Sequence, residues 1–381
     1  MPRQRPRPDR RTRDRRTRDR RPSARRVPLA LSGAAAGIAA LLTATTVAAH
    51  GLPGPVSDPQ PAATAYVALG DSYSSGLGTR SYLDDGTDCQ RSASAFPSQI
   101  AAAQGHALNF RACAGAVISD VRSAQLSALS GSTGLVTISV GGNDAGFADV
   151  LTECALPAWA SDCHGAIDGA QAFIAGQLAA QLTGLYDEIR AAAPAARVVV
   201  VGYPRIFMGE DCNALTWFSP EEQTRLNQTA DQLNAVLGQA ASGAGFGFAD
   251  PTAAFIGHAV CDDPEWINGL STPINESYHP NVDGHVSGYT SVVSGATGTT
   301  VTASAAVRRT AAAQAEQLAR QQRAYAAVDR TIRPPEFRAP DLDSPRVRAA
   351  AQRAGIDLDD RAGIDRADRV AARAQAQQQR R

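Results

Sequence analysis

The 381-residue sequence contains no lysine, so all 37 of its basic side chains are arginine. None of its six cysteines stands in a Cys-x-x-Cys pair, which argues against a zinc or redox centre. Only three tryptophans are present, and no aromatic-rich carbohydrate platform is visible. A single long apolar stretch occurs, which excludes a multi-span membrane protein. Neither the collagen nor the coiled-coil period is found. The octets 353–360 (RAGIDLDD) and 361–368 (RAGIDRAD) are only two copies, too few for a solenoid. What is there suffices for a folded domain: apolar residues make up 44% of the chain.

The formal charge is zero, 37 basic against 37 acidic side chains, but the charges are segregated. Residues 1–26 hold 13 Arg and 3 Asp, a net +10; residues 307–381 hold 16 Arg and 10 acids, a net +6. The centre, 27–306, holds 8 Arg and 24 acids, a net −16. Such asymmetry bears on the roles of segments rather than on fold.

The Arg-rich arm is followed by an apolar, uncharged stretch, 27–49, that ends in small residues. Positive flank, apolar run, small-residue site is the grammar of an export signal. Residues 1–49 therefore read as a signal cleaved after Ala48 or Ala49, with an uncleaved membrane anchor as the alternative. A nucleic-acid or anionic-lipid arm is the less favoured reading, and no nucleic-acid partner is expected. Residues 50–63, with four prolines, read as a linker. The folded domain is expected over 64–296. Residues 297–381 read as a low-complexity, solvated tail of marginal structure, with cell-wall or membrane docking through arginine as the alternative.

Within the domain, Tyr66–Gly70, Leu135–Val140, Arg197–Tyr203 and Phe246–Ala249 are strand candidates. Helical stretches lie between them at Ala93–Gln104, Ile167–Ala193 and Pro220–Ala241, the last opening with Ser219 as cap and Glu222 three residues on. Apolar strands alternating with helices imply an α/β fold with a parallel sheet covered on both faces. Ligands of such sheets bind beyond the strand C-terminal ends. The chemistry should follow Gly70, Val140 and Tyr203.

Two motifs occupy such places, and a third lies far downstream. Gly70-Asp71-Ser72-Tyr73-Ser74-Ser75-Gly76 ends the first strand and sets a serine in a glycine-rich turn. It is not the Gly-x-Ser-x-Gly elbow, which the chain lacks. Gly141-Gly142-Asn143-Asp144 ends the second strand, where the Asn143 amide can donate toward Ser72. Far downstream, Glu276-Ser277-Tyr278-His279-Pro280-Asn281 supplies a base, His279, with a carboxylate three residues before it.

In this order and spacing the motifs resemble those of the SGNH (GDSL-type) hydrolase family, and more narrowly its secreted actinomycete lipases, phospholipases and esterases. The likeness covers roughly residues 64–295. Ala112-Cys113-Ala114-Gly115-Ala116 fits the remaining family signature. The resemblance implies a three-layer α/β/α, flavodoxin-like fold with a parallel sheet of about five strands. It implies Ser72 as nucleophile, His279 as base, and an oxyanion hole made by the Ser72 backbone N–H, Gly115 and Asn143. Family members usually carry Asp three residues before the His, where this chain has Glu276; some instead orient the His by a backbone carbonyl, which Ser277 would supply. Both remain open here.

Six cysteines behind an export signal suggest disulfides, with fifteen pairings on paper. The resemblance implies Cys89–Cys113, Cys154–Cys163 and Cys212–Cys261. His285 is read as structural, since no other His stands at ligand spacing; no metal and no cofactor are expected. The expected activity is that of a secreted, monomeric serine ester hydrolase acting on small-molecule or lipid esters through an acyl-enzyme. The alternatives are a non-enzymatic surface-binding protein and an esterase of acylated polysaccharide.

Overall fold

The computed structural model describes residues 63–379. The Arg-rich arm, the apolar 27–49 stretch and nearly all of the proline-rich linker lie outside the described residues. No described helix is long and apolar enough to cross a membrane.

Five strands form one wholly parallel sheet: β1 Ala65–Gly70, β2 Ala107–Phe110, β3 Leu135–Ser139, β4 Arg197–Val201 and β5 Gly247–Ala249. Their spatial order is β2-β1-β3-β4-β5. Every residue of β3, and all but the first of β1 and β4, is buried. That is the signature of strands covered on both faces, where alternation gives way to continuous apolar runs. β2 escaped the sequence reading: it has four residues, and Asn109 interrupts its apolar character.

The covering helices are α1 Phe96–Gln104, α2 Phe147–Cys154, α3 Cys163–Phe173, α4 Ala179–Ala192, α5 Pro220–Gly243 and α6 Thr290–Ala296. α1 packs with α6, while α3 and α4 pack with α5. α5 begins where its cap residues direct: Ser219 N–H donates to Glu222 Oε2 at 2.8 Å, and Glu222 N–H donates back to Ser219 Oγ at 3.3 Å. Strand order reverses between β1 and β3, so the chain leaves those two strands in diverging directions and opens a crevice at their C-terminal ends.

The described residues of the 297–381 segment, 297–379, depart from the expectation of a solvated tail. They form α7 Ala305–Arg323, α8 Pro345–Ala354 and α9 Arg361–Gln379, which dock on the domain. α7 packs against α1 and edge strand β2. The physical reason is pairing. Asp329 is fully buried and joins Arg111 and Arg91, each bond 2.6 Å, while Arg91 also holds Asp85 at 2.6 Å. Charges that look solvated along the sequence meet partners far away in it.

The three disulfides are Cys89–Cys113, Cys154–Cys163 and Cys212–Cys261. They tie together the loops after β1 and β2, the α2–α3 connection, and the loops after β4 and β5.

Candidate active site

Gly70 ends β1 against Ser139 of β3, with φ +120° and a backbone so close that a Cβ would lie 2.3 Å from the Ser139 carbonyl oxygen. Only glycine fits there. The chain then turns into the short helical segment Ser72–Ser75, capped by Asp71, whose Oδ1 accepts the Tyr73 N–H at 3.0 Å. Ser72 is thereby held at the crevice as the first residue of a helical turn.

His279 arrives from the other end of the domain. The turn Ile274–Glu276 precedes it, and Tyr278 adopts φ +61°, a left-handed conformation that reverses the chain. The reversal is fastened to the Ser72 turn. Tyr73 Oη donates to the Tyr278 carbonyl at 2.8 Å, and Asn268 Nδ2 donates to the Gly78 carbonyl at 2.9 Å. As a result His279 Nε2 lies 2.9 Å from Ser72 Oγ, and its Nδ1 lies 2.9 Å from the Ser277 carbonyl. A carbonyl only accepts, so Nδ1 carries the proton and Nε2 is left free to accept from the serine.

Glu276 does not hold His279, which corrects the first of the two orientations considered for the base. Its carboxylate is buried and turned the other way: Oε1 accepts from Tyr82 Oη at 2.5 Å, and Oε2 lies 3.4 Å from Arg80 Nε. The reversal at Tyr278 is the cause, since it folds the ring back onto its own backbone and leaves the carboxylate outside. Tyr82 Oη in turn receives the Gly78 N–H at 3.2 Å, so the Glu276 carboxylate is linked through that tyrosine to the segment that follows the Ser72 turn.

Burial lowers the His279 imidazole to about 4; the bond to the Ser277 carbonyl offsets only part of this. No carboxylate stands beside the ring to favour its protonated form. His285 is fully buried, stacked with Phe96 and Tyr289, and lowered by burial to about 3.

Gly115 and Asn143 line the same cleft as Ser72 and His279. Asn143 Nδ2 donates one bond to the Ala116 carbonyl at 3.1 Å, which ties its loop to that of Gly115. Asp144 Oδ1 accepts the Ile118 N–H at 3.1 Å and reinforces the tie. An amide nitrogen has two hydrogens, so the second of Asn143 is free for a ligand.

A buried polar group that sequence reasoning passed over lies beneath the serine. Asp71 accepts from Ser139 Oγ at 2.6 Å and Tyr203 Oη at 2.5 Å, besides the Tyr73 N–H. Burial pushes it up to about 6, against the pull of the Ser139 and Tyr203 bonds. Asp71 sits within the first motif, and Tyr203 at the end of β4, where site residues were expected, but no rule of spacing links the two.

The cleft has a volume of about 440 Å³, within the usual range for a small-molecule site. Its lining includes the apolar side chains of Phe147, Leu151, Ile174, Ile206 and Leu233 and the polar ones of Asp88, Gln90 and Asn275.

The model of the GDSL-like lipase/acylhydrolase family matches residues 68–286. The chain belongs to this family. It is a carboxylic ester hydrolase of the serine type. Relatives of this GDSL-like enzyme include a lipase of Streptomyces rimosus, 43% identical over 269 residues that are 70% of this chain and 99% of the relative. Lipase 1 of Streptomyces coelicolor is 46% identical over 241 residues, 62% of this chain and 88% of the relative. Among solved structures, phospholipase A1 from Streptomyces albidoflavus NA297 superimposes with a TM-score of 0.59 at 44% identity, covering 61% of this chain and 99% of that one. The extracellular lipase of S. rimosus gives 0.58 at 42%, covering 61% and 100%.

Proposed function

We propose that this hydrolase is exported and cleaves lipid esters by way of an acyl-enzyme on Ser72. The 2.9 Å contact between Ser72 Oγ and His279 Nε2 carries this reading. A serine hydroxyl is a poor nucleophile at neutral pH unless a base takes its proton during attack. His279 Nε2 accepts that proton as Oγ bonds to the ester carbonyl carbon. The Ser277 carbonyl keeps the ring in the required tautomer. The negative oxygen of the tetrahedral intermediate is met by the backbone N–H groups of Ser72 and Gly115 and by the free Asn143 amide hydrogen. Removal of one such donor typically lowers kcat by about 10²–10³-fold.

The intermediate collapses by breaking the bond to the alcohol oxygen, which takes its proton from His279. Water then enters, gives a proton to His279 Nε2 and attacks the acyl-serine carbonyl. Release of the fatty acid returns the proton to Ser72. The apolar part of the lining supports an acyl chain as the group bound there. Three disulfides support an oxidising compartment, in keeping with export.

The test is a pre-steady-state burst of p-nitrophenol from p-nitrophenyl butyrate. Ser72→Ala should remove the burst and lower kcat on the order of 10⁶-fold. Undiminished turnover in that variant would end the reading.

A further inference from the structure

Residues 330–338 run without helix or strand along the cleft, and Ile332, Pro334 and Phe337 line it. We propose that this segment is a fixed strap that limits the bulk of the alcohol part of the ester, favouring single-chain esters over those whose alcohol carries further acyl chains. The proposal rests on the ester-hydrolase reading above.

The strap is pinned at both ends and on opposite sides of the site. At its start, Asp329 is locked between Arg111 and Arg91, and Ile332 is buried in an apolar cluster with the Cys89–Cys113 bridge, Ala116 and Ala124. At its end, the Phe337 ring packs edge-on against Tyr278, centroids 4.9 Å apart, one residue from the catalytic-base candidate. Next to it the Arg338 N–H donates to Thr152 Oγ1 of α2 at 3.0 Å. One end is thus tied to the loops after β1 and β2, the other to α2 and the histidine loop.

Between the pins, Pro334 lies directly on Gly115. A Cβ built on Gly115 would be 2.1 Å from Pro334 Cα, so no space remains on that side of the residue. Pro335 follows, and two successive prolines fix their φ angles and stiffen the crossing. A pinned, stiff segment beside Gly115 acts as a wall rather than a swinging lid. The apolar side chains of Leu151, Ile174 and Leu233 suit an acyl chain, and the strap occupies the Gly115 side of the cleft, which is assigned to the alcohol. The family match ends at residue 286, before the strap begins.

The test holds the acyl group constant. kcat/KM is measured for ethyl butyrate and for dissolved tributyroylglycerol, and their ratio is followed in the full-length chain. In the unaltered enzyme ethyl butyrate should be favoured per ester bond by about tenfold. Pro334→Gly with Pro335→Gly, and separately Phe337→Ala, should shift that ratio toward the triester by about fivefold or more. Asp365→Ala, which cuts the tail's 3.0 Å bond from Trp217 outside the cleft, should leave the ratio in place. If the proline variant does not fold, Phe337→Ala and the preference of the unaltered enzyme still decide. A ratio unmoved by the strap variants, or moved equally by Asp365→Ala, overturns the strap. Absence of any Ser72-dependent hydrolysis in the unaltered enzyme instead sinks the hydrolase reading, and the strap with it.

Discussion

The sheet region is held by apolar burial, whereas the C-terminal helices add directional polar bonds and buried ion pairs to theirs. β1, β3 and β4 are almost entirely buried apolar residues, and their neighbours are other strands and helices of the same kind. α9 buries only Ile364, and its neighbourhood is held by bonds such as Trp217 Nε1 to Asp365 at 3.0 Å and Ala158 N–H to Asp368 at 2.8 Å. The contrast extends to charge. Where the C-terminal region joins the domain, fully ionisable groups meet inside the protein. Around Ser72 and His279, the base rests on a carbonyl and its contacts are neutral. Cores that must fold unaided rely on apolar burial, which is non-directional and tolerant; an added segment can instead be matched to a finished surface by a few directional pairs.

The largest effect is expected where this difference is sharpest. Arg91, Arg111, Asp85 and Asp329 form a buried quartet of balanced charge, and only Asp329 comes from the C-terminal region. Asp329→Ala would leave two buried guanidinium groups facing one carboxylate. Breaking a buried pair from one side costs about 3–5 kcal/mol. Urea unfolding should report that loss as a lower midpoint at similar slope. A loss of less than about 1 kcal/mol would mean that the C-terminal region is a dispensable attachment, as surface ion pairs are.

The same quartet explains what was readable in advance. Ser72 and Asn143 follow strand ends, and the family resemblance of the motifs grouped Gly115 and His279 with them. The parallel sheet was legible from its apolar runs, apart from β2, whose four residues carry too little pattern. Asp329 meets Arg111 across 218 positions, and no local pattern pairs them. A charge-rich, Ala-rich stretch therefore read as solvated. The orientation of Glu276 was hidden for a different reason: it depends on one backbone angle, that of Tyr278, in a residue type that seldom adopts it.

A second test concerns the charge-poor side. The base must be neutral to accept the Ser72 proton, so activity falls only as pH drops through the imidazole's own pKa. Burial has lowered that value to about 4, with only the Ser277 carbonyl in opposition. At pH 5 the neutral fraction is then about 30 times that of an ordinary histidine near 6.5. The acid limb of kcat/KM should have its midpoint near 4. Asp71 titrates near 6 and could add a step of its own, so the profile is measured in Asp71→Asn as well. A limb above 6 that persists in that variant would show that an anion supports His279 after all.

Glu276 offers the smallest effect and the finest discrimination. It is the one buried carboxylate close in sequence to the base, yet its oxygens face Tyr82 and Arg80. Glu276→Gln keeps an acceptor for Tyr82 and removes only the charge. If His279 is oriented by the Ser277 carbonyl, kcat should fall by less than about tenfold, whereas a working triad carboxylate should cost about 10⁴-fold. Since Tyr82 receives the Gly78 N–H, what loss occurs should come through the Ser72 turn. Tyr82→Phe would then show a loss of the same size, and the two variants together would lose little more than either alone, because both break one chain of contacts.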